Sequence, residues 1–122
     1  MYDWAYVPTK GNYLWTVAAD TSQPRTSQQT YLMRFDRTAK TWFTVGSFGV
    51  LVNTGTNTWG AVYASADGFL YGSENNSGRI FRFNVTSVQA TSLATGPGTS
   101  VNDGAHWYVM MLDIFCAEYE NF

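Results

Sequence analysis

Reactive side chains are scarce in this sequence of 122 residues. It holds one cysteine, Cys116, and one histidine, His106, so it offers neither an internal disulfide nor a Cys/His zinc site. His106 lies between Ala105 and Trp107 with no second histidine in the chain, which favours a structural or surface role over catalysis. Charged residues make up only 13% and the net charge is −2, so no basic stripe is present and nucleic acid is not an expected partner.

Long apolar runs are missing as well. The longest, Trp107 to Leu112, is far shorter than the ~20 residues that cross a bilayer, so no membrane association is expected. The first residues, MYDWAYVPTKG, include Asp3 and lack an apolar core, which predicts no signal peptide on the chain as given. The residues themselves leave the cellular compartment open.

No motif for chemistry is recognisable. Calcium loops, phosphate loops and dinucleotide fingerprints are absent from the sequence. Asp67 and Asp103 each precede glycine, a pairing typical of turns, and the other acids form no spaced pair. We therefore expect no catalytic residue, no metal site and no cofactor. The alternative that two carboxylates converge across a cleft, as in glycosidases, stays open.

Aromatic residues, at 17%, are abundant, and they occur in short runs separated by turn residues. Such runs of four to eight residues are typical of β-strands. Asp67-Gly68 and Asn76-Ser77-Gly78 are hairpin signals, the first predicting a type I′ turn. The sequence thus predicts an all-β fold of antiparallel sheets built from consecutive hairpins, with strands in DWAYVP, NYLWTVA, TYLMRFD, TWFTVGSFGVLV, WGAVYAS, FLYGSE, RIFRFNV and TSLATG.

An internal repeat organises these strands. DWAYVPTKGNYLW matches WGAVYASADGFLY with Ala5 over Ala61 and Leu14 over Leu70, and LMRFDRT matches IFRFNVT with Arg34 over Arg82. The offset falls from 56 to 48, so the first copy carries an eight-residue insertion, located in ADTSQPRTSQQT at residues 19–30. The sequence predicts one domain over residues 1–122, with repeat one at about 3–49, repeat two at about 59–105 and a divergent tail at 106–122.

Repeats of about 50 residues with up to four strands have the size of β-propeller blades. Because a propeller closes with about four blades or more, two propeller-like blades form only an incomplete β-propeller. The expected arrangements are an open two-blade piece, a fragment of a longer protein, or part of an oligomeric ring. In each, self-association through open blade faces is expected.

The segment WGAVYASADGFLYGSENNSGRIFRFNV and the later ATGPGTSVNDGA resemble an uncharacterised family of secreted β-propeller-like repeat domains found in fungi and bacteria. The similar positions include Asp67-Gly68, Asn76-Ser77-Gly78, Gly96-Pro97 and Asn102-Asp103-Gly104-Ala105. The resemblance implies a propeller-like fold and an extracellular location, and no activity. Quinoprotein-type propeller repeats are the alternative. The tail HWYVMMLDIFCAEYENF departs from the pattern, which leaves a truncated product without independent function as a further alternative.

Two kinds of candidate site remain. Aromatic rings bind sugars and anchor protein interfaces, and the candidate ligand-binding residues are Trp15, Trp42, Tyr71 and Trp107. The alternative is that these rings pack between blades. Asn75 and Asn84 fit the glycosylation pattern, which matters only in a secreted chain, and Asn75 is the better acceptor because it lies in a predicted loop.

The residues favour a non-catalytic scaffold or binding module whose ligand is a glycan or a protein, bound by loops such as residues 19–30. The alternative is a fragment of a propeller hydrolase or lyase.

Overall fold

The computed structural model describes residues 3–53 and 57–98, and these residues form an all-β fold, as predicted. Two antiparallel sheets of four strands each are present, and neither closes into a barrel. The tail at 106–122, with Trp107 and Cys116, lies outside the described residues. The first sheet contains β1 (Ala5–Tyr6), β2 (Tyr13–Ala19), β3 (Thr30–Asp36) and β4 (Thr41–Ser47), and the second contains β5 (Trp59–Ala64), β6 (Leu70–Glu74), β7 (Arg79–Asn84) and β8 (Gln89–Thr95).

Each strand pairs with the next along the chain, so both sheets are plain meanders in the order β1-β2-β3-β4 and β5-β6-β7-β8. Asp67-Gly68 and Asn76-Ser77-Gly78 do lie in hairpin connections, which confirms their role as turns. The type I′ prediction at Asp67-Gly68 is wrong, however. The connection spans residues 65–69, and of its residues only Gly68 has a positive φ, whereas a type I′ turn needs two.

The run TWFTVGSFGVLV is not one long strand. β4 ends at Ser47, after which Phe48 N–H donates to the Thr30 carbonyl and Gly49 adopts a φ of 80°. Positive φ is incompatible with an extended strand, so the chain turns at Gly49. The following segment carries Leu51 and Val52 toward the second sheet.

The two sheets share details well beyond strand order. A β-bulge falls between Leu32 and Met33 in the first sheet and between Ile80 and Phe81 in the second, 48 positions later. Lys40, with φ of 60°, has its counterpart at the same offset in Val88, with φ of 55°. Strands β3–β4 and β7–β8 are therefore two copies of one hairpin.

The first strand is the exception to the repeat alignment. Ala5 lies opposite Trp15, and Tyr63 lies opposite Tyr71, so Ala5 is equivalent to Tyr63 and not to Ala61. The sequence alignment is two residues out here because the connection after β1 is two residues longer than the connection after β5.

The main core lies between the two sheets. Trp15, Val17 and Leu32 form the inner face of the first sheet and pack in one buried cluster with Leu70 and Phe83 of the second. Since side chains alternate along a strand, each sheet has a second face. We call these the outer face of the first sheet, with the row Tyr6, Leu14, Phe35 and Trp42, and the far face of the second sheet, with Ala61, Tyr63, Tyr71 and Ile80.

Among the described residues, no helix has the length and apolar character that crossing a membrane requires.

Candidate functional site

The connection between β2 and β3 is the candidate recognition loop, spanning residues 20–29. Val17 pairs with Leu32 and Ser73 pairs with Ile80, separations of 15 and 7 residues, so the predicted eight-residue insertion is confirmed by the ladder itself. Residues 21–27 are exposed, and Arg25–Ser27 form a single 3₁₀ turn after Pro24. The loop is therefore a solvent-facing excursion from an unchanged pair of strands.

Hydrogen bonds inside the loop hold its shape. Asp20 N–H donates to the Gln29 carbonyl at 2.9 Å, which closes the base, and the Asp20 carboxylate accepts from the Ser22 hydroxyl at 2.5 Å. Gln28 is buried, and its side-chain amide donates to the Gln23 carbonyl at 2.9 Å. A loop held this way presents its exposed residues in a defined conformation, which lowers the entropic cost of binding.

The loop is also tied to its surroundings. Asn57, itself buried, donates its side-chain amide to the Gln28 side chain at 3.1 Å. Ser47, at the end of β4, donates its hydroxyl to the Gln29 side chain at 2.6 Å. The segment that leads into the second sheet therefore helps to position the loop of the first.

A shallow pocket of about 240 Å³ opens at the root of this loop on the first sheet. Its walls are apolar and hydroxyl-bearing, with one carboxylate; the lining residues are Ala18, Ala19, Asp20, Tyr31, Met33 and Thr44. The pocket and the loop are contiguous through Asp20.

The predicted ligand-binding aromatics do not come together. Trp15 and Tyr71 are each 3% exposed, on the inner face of the first sheet and the far face of the second. Trp42 is 40% exposed and packs against Phe35 with ring centroids 5.3 Å apart. Only Trp42 of these three therefore offers a ring to solvent, and a ligand would reach the other two after displacement of their neighbours. Trp107 lies outside the described residues.

Arginine stacking accounts for part of this burial. The Arg34 guanidinium lies 4.1 Å from the centroid of Tyr13 and 5.7 Å from that of Trp15. Its repeat counterpart, Arg82, lies 4.8 Å from the ring of Phe69. The same cation–π contact therefore occurs in both sheets, which fits a packing role.

Two tyrosines of the far face are shifted toward their neutral forms. Tyr63 and Tyr71 stack with ring centroids 6.4 Å apart. Burial raises the pKa of the Tyr63 hydroxyl strongly, and it is also the main cause of the raised pKa of Tyr71. Neither phenol is poised to act as a base near neutral pH.

The two candidate glycosylation residues have structural positions. Asn75 is 5% exposed, with its side chain against Gly60. Asn84 accepts hydrogen bonds from the backbone N–H groups of Thr86 and Ser87 at 2.9 and 3.0 Å. Contrary to the expectation from the sequence, Asn75 is the less accessible acceptor of the pair. Glycosylation of either residue stays a prediction.

The five carboxylates in the described ranges each accept a hydrogen bond. Asp36 accepts from the backbone of Thr38 and Ala39, and these two bonds, that of Ala39 first, hold the pKa of its carboxyl below the ordinary value. Asp3 accepts from Val62 N–H at 3.0 Å, linking the first residues of the chain to the second sheet. The others are Asp20, Asp67, which binds the Ser65 hydroxyl, and Glu74.

Glu74 is the feature that sequence reasoning missed. It is fully buried at the end of β6, and its carboxylate accepts from the backbone N–H groups of Thr58 at 3.1 Å, Asn76 at 3.2 Å and Ser77 at 2.7 Å. The spacing Glu-Asn-Asn-Ser-Gly signals a turn, but the bond to Thr58, sixteen residues earlier, has no local signal. Within the described ranges, no three of His, Cys, Asp and Glu cluster as metal ligands do.

These observations define an all-β repeat protein of two packed four-stranded meanders, with one elaborated loop. A family model described as a repeat of unknown function (DUF6923) matches residues 1–109, and the chain therefore belongs to this family. Neither a curated protein nor a solved structure matches the chain.

Proposed function

We propose that this chain is a non-catalytic scaffold and binding module of the β-propeller type, whose two sheets are blades and whose loop at residues 20–29 recognises a glycan or a protein. The observation that carries the proposal is the contrast between the two β-hairpins. β2–β3 and β6–β7 share their strand register, yet the chain between the equivalent pairs Val17–Leu32 and Ser73–Ile80 is eight residues longer in the first hairpin.

Stacking supports the blade assignment. The inner face of the first sheet, with Trp15 and Leu32, is equivalent by repeat position to the far face of the second, with Tyr71 and Ile80. The sheets therefore pack head to tail, one kind of face on the other, and successive propeller blades are related in the same way. A two-fold pair of sheets would instead join equivalent faces.

A binding role for the loop rests on its construction. Side chains that recur in both repeats, such as Arg34 and Arg82 or Asp36 and Asn84, maintain the sheets. The inserted residues have no counterpart in the second sheet, and those at 21–27 are exposed, polar and held by internal hydrogen bonds. A rigid polar loop on a β scaffold is suited to recognition.

The hydrolase or lyase alternative gains no support from the described carboxylates. Each accepts hydrogen bonds within a turn or a link between elements, which accounts for its presence without a catalytic role.

The test replaces residues 19–30 with the equivalent four residues of the second sheet, Asn-Asn-Ser-Gly, and changes Ala18, the counterpart of Glu74, to Glu so that the turn keeps its acceptor. Wild-type chain and variant are compared on a glycan array and a protein array, with folding checked by thermal unfolding. We expect the variant to fold and to lose the signals of the wild type. Unchanged signals in a folded variant would refute the loop as the recognition element.

A matched control keeps the loop and changes a residue of the same sheet that lies far from the loop. Thr41→Ala, at the start of β4, alters an exposed side chain at the opposite end of the sheet. Its array signals should equal those of the wild type. If both variants lose binding equally, the loop has no special role.

A further inference from the structure

The outer face of the first sheet carries a continuous apolar row across all four strands. Tyr6 lies opposite Leu14, Leu14 opposite Phe35, and Phe35 opposite Trp42. Tyr6 is 50% exposed and Trp42 is 40% exposed. Large rings in one row, uncovered by other parts of the described chain, mark an interaction surface.

The second sheet shows what such a row does when it is covered. By repeat position, the equivalents of Leu14 and Phe35 are Leu70 and Phe83, and both are fully buried in the core between the sheets. Phe83 meets Phe48 at 4.7 Å between ring centroids. The outer face of the first sheet therefore has the apolar side chains of a packed interface. In the described part of the chain, no sheet packs on it.

The far face of the second sheet, which is the other face outside the main core, is buried. On the far face of the second sheet, Tyr63, Tyr71 and Ile80 are buried within the chain. A second copy of the chain thus has no exposed far face with which to extend the head-to-tail stack, whereas it does present the same exposed outer row. Among the described residues, the matching surface that a second copy offers is the outer face itself.

Charge permits that pairing. The residues of the row and their neighbours Tyr31, Met33 and Thr44 are all uncharged residue types, and Asp20 lies at the margin, in the pocket wall. Asp3 meets this face through its main-chain carbonyl, which accepts from the Thr16 hydroxyl. Two such faces meet without repulsion between like charges. Self-complementary patches of this kind form closed two-fold dimers, the commonest oligomers of soluble proteins.

We propose that two copies of this chain associate through the outer faces of their first sheets, row against row, about a two-fold axis. Trp42 and Tyr6 are the anchors, because tryptophan and tyrosine carry a large share of binding energy at interfaces. This inference goes beyond the scaffold role and does not depend on the loop having a ligand.

The test is sedimentation equilibrium of the full chain over a concentration series, repeated at low and high salt. We expect a monomer–dimer equilibrium that changes little with salt, because apolar contact is not screened. Trp42→Ser should raise the dimer dissociation constant about tenfold or more, the effect of losing one interface anchor. Tyr6→Ser, at the other end of the row, should act in the same direction.

Leu93→Ser is the matched control, because Leu93 is 45% exposed but lies on β8 of the second sheet. It should leave the dissociation constant unchanged. A chain that stays monomeric at its highest soluble concentration would overturn the proposal. A ladder of growing oligomers would overturn it too, since it indicates head-to-tail stacking, and so would equal weakening by Leu93→Ser. None of these outcomes bears on ligand binding by the loop.

Discussion

The two sheets of this chain are the same ladder in different surroundings. Phe35 and Phe83 occupy equivalent places on β3 and β7, yet Phe83 is fully buried between the sheets while Phe35 is half-buried beside the exposed Trp42. Strand order, bulge position and hairpin geometry agree between the sheets. The repeat therefore determines how the strands pair within each sheet. The packing of one sheet on the other determines which side chains are buried and stabilise the fold.

The strongest way to test this comparison is to truncate both equivalent phenylalanines. Phe83→Ala should lower the free energy of unfolding by about 3–5 kcal/mol, because it leaves a cavity in the core. Phe35→Ala should cost about 1 kcal/mol, since its ring is already partly in solvent. Urea denaturation measures both. Equal losses would show that the sheets do not differ in this respect, and a transition in two steps would show that they unfold separately.

Removal of the Glu74 carboxylate tests a feature that the second sheet has and the first lacks. Its counterpart by repeat position is Ala18, so the long loop dispenses with this acceptor. Glu74→Ala should cost at least about 1.5–3 kcal/mol, because three backbone N–H groups lose their acceptor at a fully buried side chain. Asp20→Ala, which removes a partly exposed carboxylate from the first connection, is the control and should cost clearly less in the same denaturation experiment.

The short connection also depends on a glycine where the long one does not. Gly78 has φ of 70°, and a Cβ there would collide with the carbonyl of Gly96, whereas its counterpart in the first sheet is Thr30. Gly78→Ala should cost about 1–3 kcal/mol from backbone strain, and more from the collision. Gly49→Ala separates the two effects, because Gly49 has φ of 80° with nothing within 4 Å of a Cβ. Equal losses in thermal unfolding would contradict a role for the collision.

The smallest effect concerns the one turn that both sheets build alike. Asp36 and Asn84 each accept two backbone N–H groups at the same place, so Asp36→Asn should leave stability near neutral pH almost unchanged. The pKa of Asp36 is lowered from 3.8, so its contribution is present above that value and lost as pH falls below it. The Asn variant should therefore lose less stability than the wild type between about pH 4 and pH 2.

The reciprocal change completes this test. Asn84→Asp should add to the second sheet the acid sensitivity that Asp36→Asn removes from the first. Unfolding free energies measured from pH 6 to pH 2 for both variants check the expectation. Identical pH profiles for the wild type and both variants would mean that the lowered pKa of Asp36 has no consequence for stability.

Much of the fold was predictable because its signals are local. Alternating aromatic runs and turn glycines such as Gly68 and Gly78 specify hairpins, and the repeat located the insertion before β3. Burial was not predictable from those signals. Trp15 and Trp42 lie on strands of similar composition, and only the packing of one sheet face on another separates the buried ring from the exposed one.

The candidate site was predictable only in part, for the same reason. The loop at residues 20–29 is visible as an insertion, but the pocket at its root is lined by both Asp20 and Thr44 of β4, and sequence order does not reveal that these two residues share a pocket. Asn75 lies in a polar turn sequence that predicts exposure, and its burial follows from contact with Gly60 across the sheet.

The independence of loop length from strand register has a practical consequence. Val17–Leu32 and Ser73–Ile80 are the same ladder step, although the chain between them differs by eight residues. A library of foreign sequences inserted between Ala19 and Thr30 would therefore leave the pairing of β2 and β3 intact. The hairpin is a ready-made display position for engineered binders, and it needs no disulfide to hold the ends of the displayed segment together.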